Sequence, residues 1–205
     1  MGMRKQALEL GKNKPIASMG LHALLGSRLK SVLVVVHPED PLEWLPEHLR
    51  GAAPLAKPVY IEACADASQG MSRSIRHGVQ KLMSHEKGLD AIVVTLADQP
   101  FITSAMVDEL IAYWLAQPEL DFVAAALQDA KGGKVVWMPP VVMSSSMFEA
   151  LLKLEGDAGA RKLFTDPNYK GYGLLAVDEK VMLDVDTPDD FETAKKHFLG
   201  FFTEC

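Results

Sequence analysis

Cysteine is scarce in this chain: two in 205 residues, Cys64 and Cys205, with no CxxC pair and no Cys/His cluster. That argues against a disulfide framework and against a Cys/His zinc site. No apolar run reaches transmembrane length, and the opening stretch MGMRKQALELGKNKP has no apolar signal-peptide core. The expectation is a cytoplasmic protein with no membrane contact. Basic residues are outnumbered, 21 Lys+Arg against 27 Asp+Glu, for a net charge of -6. No basic stripe stands out, so no nucleic-acid partner is expected. An acidic total still permits an anionic substrate, because a few local cations and backbone N–H groups hold phosphate. The six histidines, His22, His37, His48, His77, His85 and His197, show no mutual metal spacing. Internal repeats and low-complexity segments are absent.

What is there is an alternation of strand-like and helix-like segments, at a length that suits one α/β domain. SVLVVVH (31–37) reads as a strand covered on both faces, PVYIEAC (58–64) as a second strand and AIVVTLA (91–97) as the third and strongest. FVAAALQ (122–128), KVVWMPPVVM (134–143), GYGLLAV (171–177) and VMLDV (181–185) are further strand candidates. Helical spacing places Met71, Ile75, Val79 and Leu82 on one face after Gly70, and Val107, Leu110, Ile111 and Trp114 on another after Thr103, an apt N-cap. Met147 to Leu154 make a third helix. TPDDFETAKKHFLGFF begins a fourth, with Thr187 as N-cap, Pro188 at the first position and two acids in the first turn. The proline-rich stretch 38–58 reads as a loop with a short helix. The predicted class is a three-layer, Rossmann-like α/β fold with a mostly parallel sheet and helices on both faces.

Two acidic strand ends carry the chemistry. TLADQPF (95–101) ends a buried strand in Asp98, and Pro100 turns the chain away from the ladder. Ligands of open α/β sheets collect outside the carboxyl ends of strands. A carboxylate there suits Mg2+, which takes one or two carboxylates together with phosphate oxygens. LDVDTPDD (183–190) repeats the pattern. Asp184 and Asp186 alternate with Leu183 and Val185, so on a strand they share a face. Two such sites in one domain suggest a divalent ion bridging a polyphosphate.

LADQPF, GMSRSIRHGV, GDAGARKLF and DVDTPDDF, in this order, resemble the molybdenum cofactor cytidylyltransferases, nucleotidyltransferases of glycosyltransferase-A-type fold. The nearest likeness is to accessory proteins that mature xanthine-dehydrogenase-type enzymes. The resemblance implies CTP and molybdopterin as substrates, Mg2+ on Asp98 and Asp186, and such a dehydrogenase as partner. It implies nucleotide contacts from Gly70, Ser72 and Ser74, with Arg73 or Arg76 near phosphate. It implies acceptor contacts from Gln99, Pro100, Gly156, Asp157 and Arg161. Gln99-Pro100, where sister guanylyltransferases carry Met-Pro, leans towards cytidine. Pro139 stands where the family commonly has a histidine.

The family opens with a strand and a loop of the form Leu-Ala-Ala-Gly-x-Ser-x-Arg-Met-Gly-x-x-Lys. Here only Met1-Gly2-x-x-Lys5 matches. Lys5 remains as a catalytic, phosphate-contacting candidate, with Arg4 beside it. The expectation is one domain, 1–205, lacking the family's first strand and phosphate loop, that binds CTP poorly by itself. Three rival readings stand beside the cytidylyltransferase: a non-catalytic molybdopterin carrier, a guanylyltransferase and a sugar-phosphate nucleotidyltransferase.

Overall fold

The computed structural model describes residues 5–50, 56–128, 133, 135–157, 159–176 and 178–203, the last three by backbone alone. Arg4, Cys205 and the Met1-Gly2 match lie outside them. The elements are β1 (Glu9–Gly11), β2 (Lys14–Pro15), α1 (Ile16–Gly26), β3 (Val32–Val36), α2 (Glu47–Arg50), β4 (Val59–Ala63), α3 (Met71–His85), β5 (Ala91–Val94), α4 (Ser104–Ala116), β6 (Phe122–Gln128), β7 (Val135–Ser144), α5 (Phe148–Leu152), β8 (Gly171–Leu175) and α6 (Pro188–Thr203).

The α/β class holds. β3 pairs parallel with β4 from Val32 opposite Val59 to Val36 opposite Ala63. A second sheet runs β5-β7-β6-β8. Its β6 and β8 are parallel. β7 is the exception to parallel order, lying antiparallel to β5 and β6, because the short connection after β6 is too brief for a crossover. Phe122 to Ala126 are all fully buried, the mark of a strand covered on both faces.

Three predictions are corrected. VMLDV is not a strand: Glu179–Met182 form a 3-10 turn and the following residues extend irregularly. β5 stops at Val94, so Asp98 sits on a turn beyond the strand rather than at its last residue. The third helix is short, Phe148–Leu152 after a 3-10 turn. Two elements have no counterpart in the sequence reading, the β1–β2 hairpin and α1. Ile16, Ala17, Ser18, Gly20, Leu21 and Ala23 of α1 are all buried. A helix covered on most sides shows no clean amphipathic stripe.

Between β3 and β5 lies a cavity of about 1010 Å3.

β8 is held by aromatic rings lying on glycine. A Cβ on Gly171 would fall 1.9 Å from Cζ of Phe122, and one on Gly173 2.2 Å from Nε1 of Trp137. Phe122 is fully buried and stacks on Phe164, so its ring has nowhere to retreat. Gly171→Ala is expected to destabilise the chain by about 1–3 kcal/mol or more, read as a lower urea midpoint, whereas Gly88→Ala, with nothing within 4 Å of its added Cβ, carries only its backbone cost at φ +69.

Candidate functional site

The chain after β5 is fixed as a tight turn. Gln99 N–H donates to the Leu96 carbonyl at 3.4 Å, and the Gln99 amide donates to the Pro139 carbonyl of β7 at 3.2 Å. Gln99 is fully buried and Pro100 is buried too. Both lie behind the turn that carries Asp98. The Val185 N–H donates to the Asp98 carbonyl at 3.0 Å. One backbone bond, and not a ladder, brings the second acidic segment alongside the first.

Lys5 Nζ sits where the two acids converge. It donates to Asp98 Oδ2 at 2.6 Å and to Asp186 Oδ1 at 2.7 Å. Burial works to lower the Lys5 amine, but hydrogen bonds to Asp186 and Asp98 and their charges outweigh it and hold the amine above its ordinary value. Asp98 Oδ1 is buried and has no partner among the described residues. Asp98 is 19% exposed and Asp186 65%. One carboxylate is thus anchored in the wall, and the other faces the solvent.

Asp186 is positioned by the start of α6. Asp190 Oδ2 accepts from Thr187 N–H at 2.8 Å, Thr187 Oγ at 2.7 Å and Asp186 N–H at 3.2 Å, while Asp190 N–H donates back to Thr187 Oγ at 3.1 Å. This is a reciprocal capping arrangement. The Thr187 hydrogen bonds, first from its side chain, hold the Asp190 carboxyl below its usual range. Sequence reasoning counted Asp190 as a first-turn acid and missed this supporting part; the Thr-x-x-acid spacing is the signal. Burial raises the Asp184 carboxyl, against a hydrogen bond with Gln99.

Gly70, Gly156 and Asp157 come together. Asp157 Oδ1 accepts from the Met71 N–H at 3.1 Å, and the Gly156 carbonyl accepts from the Ser72 N–H at 3.4 Å. The first N–H groups of α3 are therefore taken by this loop and are not free for a nucleotide. A Cβ on Gly70, at φ +119, would fall 2.9 Å from the Gly156 carbonyl oxygen. The glycine serves that backbone contact. Ser72 is fully buried, with its Oγ lacking a partner among the described residues. Ser74, Asp157 and Arg161 line the mouth of the large cavity. Arg161 acts electrostatically on Asp184, and Arg73 pairs with Asp66 at 3.6 Å.

Two hard carboxylate oxygens converging on one point suit Mg2+ or Mn2+. No group of three or more His, Cys, Asp or Glu ligands occurs among the described residues. The remaining ligands would come from substrate phosphate and water.

Comparison with known proteins gives the family. Residues 1–171 match the MobA-like NTP transferase domain. The purine catabolism protein PucB of Bacillus subtilis (strain 168) is 36% identical over 200 residues, covering 96% of this chain and 90% of that protein. Among solved structures, 4-diphosphocytidyl-2C-methyl-D-erythritol synthase superposes with a TM-score of 0.71 at 19% identity, covering 94% of each chain. Rv0371c of Mycobacterium tuberculosis H37Rv, in complex with manganese, gives 0.64 at 20% identity, covering 95% of this chain and 93% of that one. With its acids beyond β5 and before α6, the chain belongs to the MobA-like NTP transferase family and is a nucleotidyltransferase.

Proposed function

We propose that this nucleotidyltransferase moves CMP from CTP to the terminal phosphate of molybdopterin with the help of Mg2+, in the maturation of a xanthine-dehydrogenase-type enzyme. The observation that carries the reading is the convergence of Asp98 and Asp186 on the Lys5 ammonium. A cation already occupies the point between the carboxylates, and a metal–triphosphate complex would compete for it. The manganese complex of Rv0371c supports a divalent ion. The diphosphocytidyl product named for the synthase neighbour supports CTP, and purine catabolism, named for PucB, supports the molybdenum-enzyme context.

In this reading a phosphate oxygen of the acceptor forms a bond to the α-phosphorus of CTP. The bond from that phosphorus to the bridging oxygen of the β-phosphate breaks, and pyrophosphate leaves. The nucleophile is already an anion, so little acid–base work falls to the protein. Asp98 and Asp186 would hold the dication, which when bound would supply positive charge to offset that of the triphosphate and leaving group. Lys5, released from the two aspartates, contributes its charge to a phosphate oxygen. Gly70 and Ser74 are assigned to the nucleotide side, Asp157 and Arg161 to the acceptor side.

The rival reading is a non-catalytic molybdopterin carrier. On its side is the occupation of the first α3 N–H groups by Gly156 and Asp157. Only the enzyme releases pyrophosphate from labelled CTP and molybdopterin.

Calorimetry with CTP and GTP, each with Mg2+, tests the reading. CTP is expected to bind this chain weakly, in preference to GTP and only with Mg2+, and Asp98→Ala is expected to lower that binding and, with labelled CTP, to cut pyrophosphate release on the order of 100-fold or more. Equal binding of the parent and variant chains would sink the metal assignment, and preference for GTP would sink the base assignment. Lys5→Met separates the two roles of the lysine. With no nucleotide present it is expected to bind Mn2+ several-fold more tightly, because the competing ammonium is gone, while its CTP affinity falls. Unchanged Mn2+ affinity would show that Lys5 and the metal do not share a position.

A further inference from the structure

β8 is the outer strand of its sheet, and its pairings show which backbone groups its outer edge carries. Among the described residues it pairs only with β6, in the parallel register that sets Ala124 opposite Gly173. The Lys170 carbonyl accepts from the Asp121 and Phe122 N–H groups at 2.8 and 3.3 Å, and the Ala176 N–H donates to the Ala126 carbonyl at 2.9 Å. Even-numbered residues therefore turn their backbone groups to β6. The N–H and C=O of Gly171, Gly173 and Leu175 turn outward, away from the sheet.

This edge lacks the devices that keep an edge strand single, namely charged side chains, proline and bulges. From Gly171 to Ala176 the sequence GYGLLA has no charge and no proline, and the β6–β8 register runs without a shift. β4, which edges the two-stranded sheet, differs. Pro58 precedes it, and its Glu62 holds Lys81 at 3.0 Å and His85 at 2.8 Å. On β8 two apolar side chains stand in solvent instead, Tyr172 at 43% and Leu175 at 52% exposed. They lie on opposite faces of the strand. Tyr172 stacks on Tyr113 of α4, with ring centroids 4.6 Å apart. Leu175 shares the face of Gly173, where the place of a Cβ is taken by the Trp137 indole.

The flanks carry opposite charges. Lys170 and Asp178, both exposed, stand four residues before and four after Leu174. The backbone at Asp178 is extended, at φ -129 and ψ 122, and its carboxylate accepts from the Lys180 N–H at 2.9 Å. An antiparallel partner of the same sequence, with a two-fold axis at Leu174, sets Lys170 of each chain opposite Asp178 of the other. The same register sets Gly173 opposite Leu175, and both turn their backbone groups outward, so each such pair exchanges two hydrogen bonds. The Leu175 side chain of one copy then falls beside the Trp137 ring of the other. Moving the axis to Gly173 puts Lys170 opposite Ala176 and Asp178 opposite Asn168, which leaves both charges unmatched.

We propose that β8 pairs with β8 of a second copy of this chain, antiparallel about a two-fold axis at Leu174, and joins the two four-stranded sheets edge to edge. The contact is self-complementary in backbone, apolar surface and charge. It concerns the sheet edge alone and is independent of the proposed chemistry.

Sedimentation and light scattering of the 205-residue chain, from about 1 to 100 μM, are expected to show a mass that rises with concentration to twice that of one chain. Leu175→Pro removes an outward N–H and no bond to β6, and is expected to weaken the dimer by about tenfold or more. Leu175→Lys, a natural guard of edge strands, is expected to do the same. Circular dichroism and Tm of the diluted variants check that they fold. Lys170→Glu and Asp178→Lys each set like charges opposite one another and are expected to weaken the dimer several-fold, whereas the two changes together restore it. Amide exchange at Gly171, Gly173 and Leu175 is expected to slow as the parent chain is concentrated. A single-chain mass throughout overturns the proposal. A dimer that Leu175→Lys leaves intact overturns it too, because the interface then lies elsewhere. Exchange that is slow at those three amides at every concentration overturns it by showing that the chain covers its own edge. Failure of the paired charge changes to rescue the dimer overturns the axis at Leu174. CTP binding and pyrophosphate release enter none of these readouts, so this proposal and the proposed function fail separately.

Discussion

Two ionised carboxylates brought to one point repel each other unless a cation lies between them. At 4 Å, like charges repel by about 4 kcal/mol at an effective dielectric of 20. In this chain the Lys5 ammonium resolves that conflict, binding Asp98 and Asp186 at 2.6 and 2.7 Å. Three distant parts of the sequence meet at that nitrogen: the front of the chain, the turn after β5 and the start of α6. The Val185 N–H on the Asp98 carbonyl holds the same junction through the backbone. The site is thus a charge problem solved locally, and a metal ion solves the same problem with twice the charge.

The supports behind the acids are of a different kind. Gln99 is buried and ties its turn to β7. Asp190 gathers the N–H groups of Asp186 and Thr187. One support is an amide in the core and the other a cap at a helix start. Between them they leave Asp98 anchored and Asp186 open to solvent, an asymmetry that suits a position where one ligand stays and another adjusts.

Local signals in the sequence survived folding where a single element satisfied them. Thr103 caps α4 by accepting from the Met106 N–H, and FVAAALQ is β6 over its full length. The order of the acidic motifs was legible too, because each follows an apolar segment of the sequence. Long-range substitutions for local partners were not legible. The N–H of Met71 is capped from 86 residues away by Asp157, which no window of sequence reports. VMLDV had strand composition, but its one backbone bond to the Asp98 turn replaces a ladder. α1 was hidden for the opposite reason: buried on several sides, and carrying Gly20 and Gly26, it lacks the periodic contrast that announces a surface helix.

The Asp157 cap has a consequence for the order of events in the crevice. The Met71 N–H accommodates one good acceptor at a time. An anion that took it would dislodge Asp157 and, with it, the loop whose Gly156 carbonyl holds the Ser72 N–H. Occupancy at the head of α3 and the posture of that loop are therefore a single variable. A ligand bound at that N–H and one bound against the loop would therefore not be independent of each other.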